Sequence, residues 1–304
     1  MEKEKRVPVK ISSIAELHRL LQLPKPVHPL ISLVDNTQMN ISKEELPDSF
    51  LFDFYKISYK KTANGKIGYG QGFYDFEEGG MLFTAPGQLI SITADEEYYG
   101  LSLLFHPDFL RNHPLGKGIR QMGFFSYDTN EALHLSDKEK TVIIGVLQNI
   151  KEELQGAIDD FSQDVVIAYM EVLLGYSHRF YKRQFITRKA VNHDLLARME
   201  QLLNDYFEQD MALHKGLPTV EYLAAQLYVS PRYLSDMLRS LTGQNAQHHI
   251  HDKLIEKARE KLSSTSLSVG EIAFQLGFEY PQSFNKLFKN KTSQTPLEFR
   301  QLFN

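Results

Sequence analysis

The chain has 304 residues, enough for two domains at ~100–200 residues each. It holds no cysteine, which excludes disulfides, zinc ribbons and cysteine nucleophiles, and its net charge is −4 with 42% hydrophobic and 24% charged residues, an ordinary globular balance. Met1–Lys10 is charged with no apolar run behind it, and aliphatic stretches as long as Val142–Leu147 fall far short of the ~20 residues of a membrane span, so the expectation is a cytoplasmic chain with neither signal peptide nor membrane contact.

From about residue 30 to residue 130 the pattern is short alternating runs rich in Phe, Tyr and Gly, such as Phe50–Ile57, Gly70–Phe76 and Gly100–Phe105. Asn64-Gly65, Glu78-Gly79-Gly80 and Pro86-Gly87 punctuate them as turns. Strands at this spacing predict an antiparallel sandwich or small barrel over residues 1–135. Within it Phe54, Tyr69, Phe73, Tyr74 and Phe83 are either plain core or the lining of an effector pocket. The histidines here, His28, His106, His113 and His134, include no His-x-His pair, so no metal-holding set is expected and no cofactor is implied. His106-Pro107-Asp108 reads as a turn and helix start.

At residue 136 the period becomes helical. Ser136-Asp137-Lys138-Glu139 forms a capping box, and Val142, Val146, Ile150 and Leu154 follow at i+4 spacing. A second amphipathic stretch runs from Phe161 to Lys182 with Val165, Tyr169, Val172, Leu173 and Tyr176 on one side. The hairpin over 136–182 either packs on the sheets or offers residues 161–182 as a homodimer interface. Residues 183–192 are basic without a clear period and are assigned as a linker.

The C-terminal part, 193–304, carries a degenerate repeat. Val220, Leu223, Ala224 and Leu227 recur 49 residues later as Val269, Ile272, Ala273 and Leu276. Beyond the turn the offset is 50: Pro231, Leu234, Met237 and Leu238 match Pro281, Phe284, Leu287 and Phe288. Each copy predicts a short helix, a tight turn and a second helix starting near proline. Thr219 and Ser230 serve as N-caps, Pro231 as an N1 residue, Gly243 as a C-terminal stop, and Ser268–Glu271 as a capping box. A small alanine in each first helix permits close crossing. This is the helix-turn-helix pattern, twice, with a helix over Gln247–Leu262 between the copies, ~24 Å long at 1.5 Å per residue. A strut of that length suits two recognition helices one DNA turn apart. Residues 211–304 carry 11 Lys+Arg and 8 Asp+Glu, a net +3, whereas residues 1–210 carry a net −7. The sign is right for a DNA-binding C-terminal part.

The run Ser268-Val269-Gly270-Glu271-Ile272-Ala273-Phe274-Gln275-Leu276-Gly277-Phe278, with Ser283-Phe284, Phe288-Lys289 and Thr295-Pro296-Leu297-Glu298-Phe299-Arg300, resembles the C-terminal signature of the AraC/XylS transcription regulators. The resemblance covers about residues 193–302. It implies an α+β chain with an N-terminal cupin-like antiparallel β-barrel and helical hairpin, followed by an all-α domain holding two recognition helices in adjacent major grooves of double-stranded DNA. It further implies RNA polymerase as a partner, a small-molecule effector, and no enzymatic activity. Arg232, Tyr233, Ser235, Asp236 and Arg239 are the outward set on the first recognition helix, and by resemblance 232, 235 and 236 face the bases. Gln282, Ser283, Asn285, Lys286 and Lys289 are the outward set on the second. Arg232 suits guanine, Gln282 adenine, Lys286 guanine or phosphate. Two positions depart from the pattern: Asp236, where a basic residue is common, and Tyr228, where the other copy has Gly277. His248-His249-x-His251 on the connecting helix lacks the i, i+4 spacing of a metal pair and reads as lining the DNA-facing side or the surface.

Overall fold

The computed structural model describes residues 8–39, 41, 46–47, 49–61, 66–69, 72–75, 79–91, 100–156 and 162–303. The chain forms two compact units, Met1–Gln184 and Phe185–Asn304.

The first unit runs β1 (Val9–Ile11), α1 (Ile14–Leu20), β2 (Ile31–Asp35), β3 (Ser49–Phe52), β4 (Tyr55–Lys60), β5 (Lys66–Tyr69), β6 (Gly72–Asp75), β7 (Gly80–Thr84), β8 (Leu89–Ser91), β9 (Gly100–Phe105), α2 (Pro114–Gly118), β10 (Leu133–His134), α3 (Asp137–Gln155) and α4 (Ser162–Thr187). Five strands pair in the order β10-β7-β4-β9-β2, all antiparallel. A second sheet, β1-β3-β8, has a parallel β1–β3 pair, and β5-β6 is a separate hairpin. Among the described residues these pairings do not close into a ring. One reason is visible at β10, where the Gln184 side chain of α4 stands in for a further strand. It accepts from His134 N at 2.8 Å and donates to Ala132 O at 3.1 Å. The edge is thus satisfied by an amide rather than by pairing.

Alternation along β4 sorts its side chains between two environments. Tyr55 stacks on Phe105 at 5.0 Å and meets Phe125 edge-on at 5.1 Å. On the neighbouring strand Phe83 packs with Phe124 and with Tyr181 of α4. The other face of the five-stranded sheet looks toward β1 and β3. Val34 and Leu104 there join Ile11, Ile14, Leu17, Phe50 and Phe52 in one buried cluster. The stack Phe50–Phe52–Phe54, with centroids 5.6 and 4.9 Å apart, runs along it.

The helical pair begins at the expected capping box. Ser136 accepts from Glu139 N, and Glu139 accepts from Ser136 N at 2.8 Å. Glu139 also takes Arg183 from α4 through two bonds of 3.1 and 2.6 Å, while the same guanidinium donates to His134 O at 2.7 Å. A forked, charge-assisted contact of this kind fixes geometry as well as adding energy. On α4 Leu173 is buried, whereas Val165 and Val172 stay exposed.

The second unit contains the end of α4 and then α5 (Lys189–Glu208), α6 (Met211–Lys215), α7 (Val220–Leu227), α8 (Pro231–Thr242), α9 (Ala246–Ser264), α10 (Val269–Gln275), α11 (Pro281–Thr292) and α12 (Pro296–Arg300). Residues 183–192 are helical on both sides of a break at Arg188, and the boundary between the units falls within α4. Basic residues spaced through a helix leave no amphipathic signature, which is why that stretch has no period in the sequence. No helix among the described residues is long and apolar enough to cross a membrane.

Candidate nucleic-acid interface

The two repeat copies fold alike. In the first, Thr219 caps α7 by accepting from Tyr222 N, and Ser230 caps α8 by accepting from Tyr233 N. In the second, Ser268 and Glu271 close a capping box on α10. Hydrogen bonds with Ser268 hold the Glu271 carboxyl below the usual carboxylate range. The same box recurs at Thr295 and Glu298 on α12.

The turns match atom for atom in their backbone bonds. Val229 N donates to Ala224 O at 3.0 Å, and Phe278 N donates to Ala273 O at 3.0 Å. Tyr228 N reaches Ala225 O at 3.3 Å, and Gly277 N reaches Phe274 O at 3.0 Å. Both turns need a left-handed residue, and Tyr228 (φ 59) supplies it as Gly277 (φ 90) does. The departure at Tyr228 therefore leaves the turn intact at a cost of ~1–2 kcal/mol in backbone strain. A side chain at 277 has no such freedom. A Cβ there would lie 2.6 and 2.8 Å from the backbone of Gly216 and 2.9 Å from Ala212 O, at the end of α6. The helix stops repeat the pattern with the residue types exchanged: Gly243 (φ 80) ends α8 and Ser293 (φ 63) ends α11.

Each recognition helix buries one stripe and leaves the other outward. Leu234, Met237 and Leu238 are buried on α8, and Phe284 and Phe288 on α11. On α11 the whole expected set, Gln282, Ser283, Asn285, Lys286 and Lys289, is exposed. On α8 Arg232 and Arg239 are exposed, and Ser235 and Asp236 are half-buried. Tyr233 is a correction. It is 7% exposed, and its ring meets Phe185 edge-on at 5.3 Å. It sits four residues before Met237, on the inner side of the stripe, so it is core rather than interface.

Asp236 organises this face. Arg232 Nε donates to one of its oxygens at 3.1 Å and Arg239 Nη1 to the other at 3.0 Å. The carboxylate is 18% exposed and the arginines about half exposed. The two arginines, about two turns apart along α8, are thereby gathered at one carboxylate between them. The sequence pattern gives the residues but not this arrangement; the i, i+4 and i, i+3 spacing of Arg232, Asp236 and Arg239 is the signal that reveals it.

Between the copies, α9 is 19 residues long and packs on α8, α10, α11 and α12. Lys291 on α11 is tied to Asp252 on α9 at 2.8 Å. The α9 histidines are engaged locally: His249 with Thr242 at 2.9 Å, His251 with Gln247 at 2.9 Å, His248 with Asn245. Burial lowers the affinity of His249 and His251 for a proton, and Lys291 and His248 push His251 the same way.

Of the expected effector-pocket residues, Phe54 is fully buried in the aromatic stack, while Phe83 packs against Phe124 and also lines a cavity of ≈ 140 Å³ together with Ser58, Phe50 and Phe52. Tyr69, Phe73 and Tyr74 lie on β5 and β6, whose side chains are outside the described set.

A helix-turn-helix domain family matches residues 223–302. The uncharacterised helix-turn-helix-type transcriptional regulator YfiF of Bacillus subtilis (strain 168) is 23% identical over 256 residues, which is 82% of this chain and 77% of that protein. The transcriptional activator RhaS of Klebsiella pneumoniae (strain 342) is 30% identical over 143 residues, 46% of each chain, so this chain spans less than half of that relative. Among solved structures, the C-terminal domain of the two-component response regulator yesN from Fusobacterium nucleatum is 32% identical, covering 33% of this chain and 95% of that one with a TM-score of 0.29.

Proposed function

We propose that this chain, whose C-terminal helix-turn-helix domain is of the AraC type, is an AraC/XylS transcription regulator that reads a specific operator with α8 and α11 together. The observation that carries the reading is the pair of matched helices, each with a buried apolar stripe and an exposed polar face, joined by one continuous helix. Arg232 recognises guanine, Gln282 adenine, and Lys286 guanine or phosphate, while Lys289 positions the backbone. Ser235, Asp236, Arg239, Ser283 and Asn285 complete the two faces. Tyr233 supports α8 from inside.

The N-terminal unit is proposed as a cupin-like sensor that responds to a small-molecule effector. Val165 and Val172, exposed on α4, support residues 161–182 as a homodimer interface, and RNA polymerase is the further partner of a regulator at a promoter. The chain is read as a non-enzyme acting in the cytoplasm.

The test is selection of duplex sites by the full chain, followed by titration of Arg232→Ala and Gln282→Ala against the selected site and its single-base variants. Each substitution is expected to cost ~1–3 kcal/mol and to relax preference at one base pair. Uniform or absent effects across all variants remove the assignment. Binding that does not fall steeply with salt removes the DNA reading altogether.

A further inference from the structure

Histidine precedes proline at His28-Pro29, His106-Pro107 and His113-Pro114, and all three steps fold alike. Proline has no N–H, so the first amide of each turn belongs to the residue after it. The imidazole Nδ1 accepts from that amide each time: from Leu30 N at 3.1 Å, from Asp108 N at 3.2 Å and from Leu115 N at 3.2 Å. His106 and His113 are thereby the N-caps of a 3-10 turn over Pro107–Leu110 and of α2. A backbone N–H only donates, so each Nδ1 offers its lone pair and each neutral ring carries its proton on Nε2. All three side chains are half-buried. The helices α3, α7, α8, α9, α10 and α12 are capped instead by Ser136, Thr219, Ser230, Asn245, Ser268 and Thr295, none of which titrates in this range.

The three turns meet at one end of the five-stranded sheet. His106 N donates to Leu30 O at 2.8 Å, closing the end of β9 onto the entry to β2, and the His28 ring meets Phe109 edge-on at 5.5 Å. The segment is tied in turn to α4, where Gln163 donates to Phe109 O at 2.8 Å. Charged groups from the segment and from both helices of the hairpin face the rings. Asp108 Oδ2 lies 3.4 Å from His106 Nδ1, its other oxygen being taken by Arg111. Glu171 Oε1 of α4 lies 4.0 Å from His113 Nδ1. Lys117 and Arg120 share the groove beside His113, and Lys151 of α3 lies in the hollow lined by His28. The Nδ1 of His106 and that of His113 thus have two partners each within reach: an amide that needs the lone pair and a carboxylate that needs a proton there.

We propose that residues 106–118 form a proton-operated joint between the sheet and α4, in which protonation of His106 and His113 exchanges their amide caps for ion pairs with Asp108 and Glu171 and loosens the segment. A protonated imidazole donates from both nitrogens, so neither cap survives the added proton. Histidine ordinarily takes that proton at about pH 6.5, which puts the change inside the range a cell meets. The carboxylates offset the lost caps, so the exchange costs less than plain uncapping. Burial lowers the proton affinity of His28, so the turn at Leu30 keeps its cap to more acid pH and serves as the fixed side of the joint. The moving side is the 3-10 turn and α2, which run between the sheet end and α4.

The experiment is hydrogen exchange of the full chain at pH 8 and pH 5, read by mass on peptides covering 106–118, with the chemical exchange rate at each pH divided out. The wild-type segment is expected to lose protection about fivefold or more at pH 5, the size of a lost N-cap, while peptides from β4 and β9 keep theirs. The double variant His106→Asn with His113→Asn retains a capping acceptor and removes the proton site, so its protection is expected to be equal at both pH values. Nitrogen-15 spectra of labelled histidine report the tautomer, and Nδ1 of both rings is expected to be unprotonated at pH 8. Glu171→Gln and Asp108→Asn are expected to move the midpoint of the change to lower pH. Equal wild-type protection at both pH values, an equal loss in β4 and β9, an equal loss in the folded double variant, or Nδ1–H on both rings at pH 8 overturns the proposal. Should the double variant not fold, a midpoint unmoved in both carboxylate variants overturns it instead.

Discussion

Gly277→Ala and Tyr228→Gly are matched changes at equivalent turns, and their effects should be far from equal. At 277 the added Cβ meets three backbone atoms at 2.6–2.9 Å, where carbon contacts are comfortable at ~3.5–4.0 Å. The end of α6 must therefore retreat by about 0.7–1 Å, since backbone atoms cannot rotate away. Overpacking of this kind costs ~1–3 kcal/mol, and left-handed backbone on a non-glycine residue adds ~1–2 kcal/mol. The expected loss is ~2–5 kcal/mol. At 228 the strain is already borne, and glycine relieves it while adding ~0.5–1 kcal/mol of unfolded-state entropy, so the net change lies within about 1 kcal/mol of zero. Urea unfolding followed by helical circular dichroism measures both. A loss below ~1 kcal/mol for Gly277→Ala, or a comparable loss for Tyr228→Gly, refutes the account of why one copy requires glycine and the other does not.

Asp236→Asn releases Arg232 and Arg239 from their shared carboxylate. Exposed pairs are worth ~0.3–0.5 kcal/mol each, so stability should fall by less than ~1 kcal/mol, while affinity for duplex rises and the salt slope steepens by about one or two units. Loss of preference at a single base pair instead would mean that the carboxylate itself accepts from cytosine. His249 and His251 bind protons less readily folded than unfolded because they are buried. The unfolded chain therefore holds more protons as pH drops, and the stability present above their ordinary value near 6.5 is lost below it. Thermal melts of the full chain between pH 8 and pH 5, with and without His249→Gln and His251→Gln, should show the helical domain's acid slope shrinking in the variants. An unchanged slope assigns the acid sensitivity elsewhere.

The C-terminal domain is legible because its rules are local. Ser230, Pro231, Gly243 and the Ser268–Glu271 box act within one turn of helix, and the buried stripes follow from spacing alone. Tyr233 escaped that logic because its neighbour Phe185 lies 48 residues away in the chain, and a tyrosine at a helix start suits either side. The N-terminal unit is less legible. Period two on β4 separates Lys56, Ser58 and Lys60 from Ile57 and Tyr59 but does not say what covers either face. Polar residues on a half-buried strand ordinarily face water, and only the placement of β1 and β3 turns them inward. The expected aromatic lining divides: Phe54 has the surroundings of a core, whereas Phe83 lines the cavity between the sheets.

The helix between the two reading heads has a consequence for the operator. At 19 residues it spans ~28 Å without interruption, and α11 is pinned to it by Lys291 and Asp252. A single base pair inserted between the two contacted segments would swing the far one by about 34–36° around the duplex axis. A straight helix cannot twist to follow. Base changes inside either segment should weaken binding by degrees, whereas additions or deletions between them should abolish it outright.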